Sequence, residues 1–159
     1  WCCLVGSEMC IRDRTNIRLS NPSDLKSLLV IENNTNPSPW TEKQMQSSFN
    51  VGHHSFLYED NNDNVIGFVI YVAVEQEAHL LNIAVDNNYQ RKGIGSILIN
   101  HLKKQVQAMG INLITLEVRV SNTNAISFYK KHNFIEDAIR ANYYSKPKPE
   151  DALLMSVRL

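Results

Sequence analysis

The chain has 159 residues, enough for one domain with a sizeable core and too few for two. Sixteen basic residues balance sixteen acidic ones, so no net field argues for a nucleic acid or an anionic membrane as partner. Apolar residues make up 43% and charged residues 20%, an ordinary globular composition, and no apolar run is long enough to cross a bilayer.

Trp1 to Arg14 holds all three cysteines, Cys2, Cys3 and Cys10. An odd number confined to one tip is not a disulfide framework, and no histidine spacing suggests zinc. The stretch reads as translated adapter text outside the fold, with a native tail as the alternative, and the domain is expected over 15–159. Leu4-Val5 is too short an apolar stretch for a signal peptide, which makes the cytoplasm the default compartment.

Asn16 to Ser20 alternates apolar and polar residues and predicts a first strand. Asn21 then caps a helix, with Pro22 and Asp24 in its first turn and a stripe of Leu25, Leu28, Leu29 and Ile31 that ends in the polar run Glu32 to Asn36. After a Pro37–Trp40 loop, Thr41 caps a second helix, with Gln44 completing a capping box. Strands at Ser55–Glu59 and Val65–Val74 flank the turn Asp60 to Asn64 and read as a hairpin. Ala78–Val85 is a further strand. The helix Gly93–Met109 carries Ile94, Ile97, Leu98, Leu102, Val106 and Met109 on one face and stops at Gly110. The strand Leu113–Val120 follows, so strand, helix and strand form a parallel crossover. A helix capped at Ser121-Asn122 runs to about His132, and strands at Phe134–Tyr144 and Ala152–Leu159 close an α/β domain with a mixed sheet.

Gln90-Arg91-Lys92-Gly93-Ile94-Gly95 lies between a strand and a helix. Its glycines let the backbone approach a ligand, and the free N–H groups of the first helical turn suit a pyrophosphate. The third glycine of a dinucleotide fingerprint is missing, since Leu98 stands there, and no Lys-Ser/Thr pair makes it a P-loop. With Ile83-Ala84-Val85-Asp86 before it, the segment resembles the acetyl-CoA signature of the GNAT superfamily of N-acetyltransferases. That resemblance implies a twisted, mostly antiparallel sheet whose central parallel pair splays to hold acetyl-CoA, with helices on both faces. It assigns Ile83, Ala84 and Val85 to the pantetheine arm. Arg91, Lys92, Gly93, Ile94, Gly95 and Ser96 then hold the pyrophosphate.

In Leu113–Val120 the residues Thr115, Glu117 and Arg119 share the face opposite Ile114, Leu116, Val118 and Val120. Glu117 is either an ordinary solvent-facing acid or a carboxylate in the ligand cleft. Acetyl transfer gives such a carboxylate a task, because an α-amine with a pKa near ~8 must lose its proton before it attacks a thioester. Leu116 to Asn122, with Ala125, Phe128-Tyr129 and Asn133-Phe134, resembles the ribosomal-protein-alanine acetyltransferases. The resemblance implies that Glu117 is the general base, Tyr129 the general acid and Asn122 a coenzyme contact. Tyr129 would otherwise be a core aromatic and Asn122 a helix cap. Pro39-Trp40-Thr41-Glu42 and Asn142-Tyr143-Tyr144 match the family's acceptor flanks, which places Trp40, Tyr143 and Tyr144 at the substrate. Acetyl-CoA is implied as co-substrate and the N-terminal peptide of a ribosomal protein as partner. Another protein N-terminus or a small-molecule amine is the rival acceptor, and a non-catalytic acyl-CoA-binding module the rival of another class. Asn133 stands where the family usually has glycine, at a position expected to need left-handed backbone. His53, His54, His79, His101 and His132 show no ligand spacing, and no metal is assigned; His101 is expected at the surface.

Overall fold

The structure, a computed structural model, describes residues 16–159. The predictions about Trp1–Arg14 and its cysteines lie outside these residues. Seven strands form one sheet: β1 (Ile17–Leu19), β2 (His54–Glu59), β3 (Val65–Val74), β4 (Glu77–Val85), β5 (Leu113–Arg119), β6 (Ile135–Tyr144) and β7 (Glu150–Arg158). Their spatial order is β1-β2-β3-β4-β5-β7-β6, and every neighbouring pair is antiparallel except β4 and β5.

The helices are α1 (Leu25–Thr35), α2 (Glu42–Asn50), α3 (Ile94–Ala108) and α4 (Thr123–Lys131). Local chemistry starts them where the sequence indicates. Asn21 and Asp24 make a capping box, although Pro22–Asp24 is a 3-10 turn leading into α1. Thr41 and Gln44 make another, and the Asn122 side chain accepts from the N–H of Ala125. Such caps contribute about 1 kcal/mol each.

The helices cover both faces of the sheet. Leu28, Ile31 and Met45 of α1 and α2 pack on Leu57, Phe68 and Ile70. Ile94, Leu98, Ile99, Leu102 and Val106 of α3, with Tyr129 of α4, pack on Val69, Tyr71, Leu80 and Leu116. β3 is thus buried from both sides, which is why it reads as a continuous apolar run and not as an alternation. The α3 stripe differs from expectation at two places: Ile97 and Met109 are 42% and 43% exposed, and Ile99 is fully buried instead. Both faces of α3 near that turn offer an isoleucine, and only the sheet beneath selects one.

Gly67 allows α3 to lie close to β3. A Cβ there would stand 3.2 Å from the Ala84 carbonyl oxygen and 3.3 Å from Leu98 Cδ1. Asn133 has φ 65°, the left-handed backbone expected of it. His101 is half-buried rather than at the surface, its ring 4.6 Å from Phe56. Among the described residues no helix is long and apolar enough to cross a membrane.

Candidate active site

The central feature is a break in the sheet. β3 pairs with β4 from both ends, but Ile70 faces Asn82 while Tyr71 faces Leu80, so Leu81 is an extra, bulged residue. The parallel pairing of β4 with β5 stops at Leu80–Leu116. Beyond it, Ile83–Val85 and Glu117–Arg119 diverge. The edge of β4 facing β5 is left with main-chain hydrogen-bonding groups that a ligand can satisfy. Two clefts occupy this gap, and both are lined by Ile83, Ala84, Val85, Gln90, Ala125 and Tyr129.

The first cleft continues from Ile83–Val85 to Arg91, Gly93, Ile94, Gly95 and Ser96 and is closed by Ser127, Phe128 and Lys131 of α4. Arg91 and Gly93 have φ of 59° and 84°, so the loop turns through left-handed backbone before α3 begins. Open amides at the start of α3 and a basic surround fit a pyrophosphate. The two glycines have different reasons. Gly93 needs its backbone conformation, and a Cβ there would meet nothing within 4 Å. At Gly95 a Cβ would stand 3.3 Å from Phe128, so this glycine lets α3 and α4 approach each other. Lys92 does not line the cleft; its ammonium lies 5.0 Å from the centre of the Tyr89 ring. Ser96 Oγ is 2.9 Å from Nε2 of His132, a histidine to which the sequence reading gave no role.

The second cleft brings together Glu117, Tyr129, Tyr144, Trp40 and Asn122. The Glu117 side chain is 29% exposed and meets Arg140 at 3.5 Å. Tyr129 is buried, packed on Phe128 and Phe134 at ring separations of 5.5 and 5.6 Å. Burial, then the neighbouring Tyr144, push its phenol above the usual range. Burial likewise pushes the Tyr144 phenol up to about 12. Tyr144 donates to the Glu117 carbonyl at 3.3 Å, and its ring lies 4.0 Å from the Arg119 guanidinium. Arg119 also pairs with Glu150 at 3.2 Å, and Glu150 accepts from the Ser121 N–H at 2.9 Å. This chain of contacts ties the turn before α4 to the arm that carries Tyr144.

Tyr143 is not part of the lining; it is 45% exposed and its ring lies under Arg140. The reason is a second irregularity. Arg140 faces Ala152 and Tyr144 faces Glu150, so residues 141–143 oppose Asp151 alone. Sequence reasoning also missed Glu32 and Asn82, which line this cleft. Leu25, Leu28 and Glu32 follow an i, i+3, i+7 spacing, so the apolar face of α1 already pointed at Glu32.

A mixed sheet opened between its parallel strands, with a glycine loop at the start of the following helix, makes a cleft for a long ligand ending in a pyrophosphate. The sequence pattern of the acetyltransferase (GNAT) family matches residues 25–134, and the chain belongs to that family. It is an N-acetyltransferase. It is 38% identical over 136 residues to the [ribosomal protein bS18]-alanine N-acetyltransferase of Escherichia coli K12, covering 85% of this chain and 91% of that protein. It is 30% identical to an N-alpha-acetyltransferase of Sulfolobus acidocaldarius, covering 90% and 92%. The crystal structure of the ribosomal-protein-S18-alanine N-acetyltransferase from Escherichia coli superposes with a TM-score of 0.82 at 36% identity, covering 89% of this chain and 92% of that one.

Proposed function

We propose that this enzyme transfers acetyl from acetyl-CoA to the α-amine of an N-terminal alanine on a small-subunit ribosomal protein. The observation that carries this reading is the second cleft. It sets Glu117, Tyr129, Trp40 and Tyr144 against the strand Ile83–Val85, in a chain resembling the bS18-alanine enzymes along most of its length.

In this reading Ile83, Ala84 and Val85 hold the pantetheine arm with main-chain groups. Arg91 and the amides of Gly93 to Ser96 hold the pyrophosphate, with Lys92 adding charge nearby. Asn122 caps α4 and lies beside the coenzyme. Trp40 and Tyr144 wall the acceptor, and Tyr143 supports Tyr144, 5.0 Å away, edge to face.

The acceptor arrives mainly as an ammonium. Glu117 takes one proton, directly or through water. The neutral nitrogen attacks the thioester carbonyl, a C–N bond forms and the C–S bond breaks. Of the two protons the nitrogen loses, one ends on the CoA sulfur and the other reaches solvent. Burial keeps Tyr129 in its protonated form, ready to donate to sulfur as negative charge collects there. No covalent enzyme intermediate is needed.

Incubation with acetyl-CoA and peptides differing at their first two residues, followed by mass measurement, tests the acceptor. Alanine-first ribosomal peptides should gain one acetyl group on the α-nitrogen. Efficient acetylation of small amines with no peptide preference would overturn the acceptor assignment and leave the chemistry in place.

A further inference from the structure

α1 carries a carboxylate that the proposed chemistry does not use. Glu32 is fully buried. Its Oε1 accepts from the backbone N–H of Trp40 at 3.0 Å and from Asn36 Nδ2 at 2.9 Å. Its Oε2 accepts from Asn82 Nδ2 at 3.0 Å. A buried carboxylate is costly unless such donors surround it. The demand also runs the other way. Three donors converge on the two oxygens, and a carboxylate accepts at both, whereas a glutamine would turn an NH₂ group toward one of them.

The three donors come from two parts of the site. Asn36 and Trp40 bound the loop between α1 and α2, which is braced further by the Ser38 N–H on Asn36 Oδ1 at 3.0 Å. Asn82 sits on β4 between the bulged Leu81 and Ile83. Glu32 therefore joins one wall of the second cleft to the strand along its base, at the point where that strand leaves β5.

We infer that Glu32 is a positioning residue for the acceptor. It holds the Asn36–Trp40 wall in register with the strand assigned to the acetyl donor. The inference rests on reading the second cleft as the acceptor site. A wall displaced by about 1 Å is enough to cost on the order of 100-fold in rate.

Three variants test it: Glu32→Ala, Glu32→Gln and Asn82→Ala. The readouts are acceptor kinetics, acetyl-CoA affinity by calorimetry, and hydrogen exchange at the Trp40 amide. Glu32→Ala should raise the acceptor KM by about tenfold or more, leave acetyl-CoA Kd within about threefold, and speed Trp40 exchange. Glu32→Gln, which keeps one accepting oxygen, should fall between Ala and wild type. Asn82→Ala cuts only the strand tie, should move the acceptor KM the same way, and decides the matter if Glu32→Ala does not fold. An unchanged acceptor KM in folded Glu32→Ala, or an equal loss of coenzyme affinity, overturns the inference. If the wild type acetylates no peptide, the acceptor reading alone fails. Unchanged Trp40 exchange in the variants would then overturn the role of Glu32 as well, and faster exchange would support it.

Discussion

Replacing Glu117 by glutamine tests its proposed role in proton removal apart from everything else the cleft does. The substitution keeps the shape of the side chain and removes its basicity. Its ion-pair partner Arg140 is 3.5 Å away and 53% exposed, so losing that contact costs at most about 0.5–1 kcal/mol. Stability and acetyl-CoA affinity should therefore stay close to wild type. Turnover should fall by roughly 10²–10⁴-fold, which is about 3–5 kcal/mol of barrier. An amine with a pKa near ~8 is about one-tenth neutral at pH 7 and about nine-tenths neutral at pH 9. Raising the pH can thus restore about tenfold of the loss and no more, because the base also acts during the attack. Tyr129→Phe keeps the ring contacts to Phe128 and Phe134 and removes the proposed donor to sulfur. If Tyr129 is the proton donor as proposed, this variant should slow turnover without that recovery. Thiol release measured from pH 6 to 9.5 on a verified acceptor gives both profiles. Wild-type turnover at pH 7 in Glu117→Gln would refute the assignment of the base, which would then be another cleft group or a water held by main chain.

Gly95→Ala needs Phe128 to yield by a few tenths of an ångström and gains helix propensity of about 1 kcal/mol, so its stability should be near wild type. Gly95→Val must displace Phe128, at a cost of about 1–3 kcal/mol, and should weaken acetyl-CoA by about tenfold or more; unchanged affinity by calorimetry in the folded variant would remove the loop from the coenzyme site. His53, His101 and His132 all have their pKa lowered, chiefly by burial. The unfolded chain therefore binds more protons as pH falls below about 6.5, and the stability present at neutral pH is lost progressively through that window. Tm should drop from pH 7.5 to 5.5, and His101→Leu should flatten the slope; an unchanged slope would exclude His101 as a contributor. A chain beginning at Thr15 after an added Met should keep full turnover and Tm, and a large loss of either would show that Trp1–Arg14 belongs to the domain.

Much of this protein follows from the sequence alone, because the signals are local. Caps at Asn21, Thr41 and Asn122, the left-handed position at Asn133, the two-sided apolar run of β3 and the strand–loop–helix segment around Gly93 depend on residues within a turn of one another. They place the elements, the crossover and the glycine loop without knowledge of the partner surfaces. Other features depend on elements that meet only in the folded molecule. The bulge at Leu81 and the end of pairing at Leu80–Leu116 open the cleft, and neither leaves a mark in the residue pattern. The irregularity at residues 141–143 puts Tyr144 in the cleft and Tyr143 outside it, although a two-residue period cannot distinguish adjacent tyrosines once it is broken. The packing of α3 on the sheet buries Ile99 and leaves Ile97 exposed. The spacing of α1 puts Glu32 on the apolar face but says nothing of its partners, and it is the most enclosed charged side chain described. Its three donors lie four, eight and fifty residues away, and only the packing of α1 against β4 and the following loop brings them to one carboxylate.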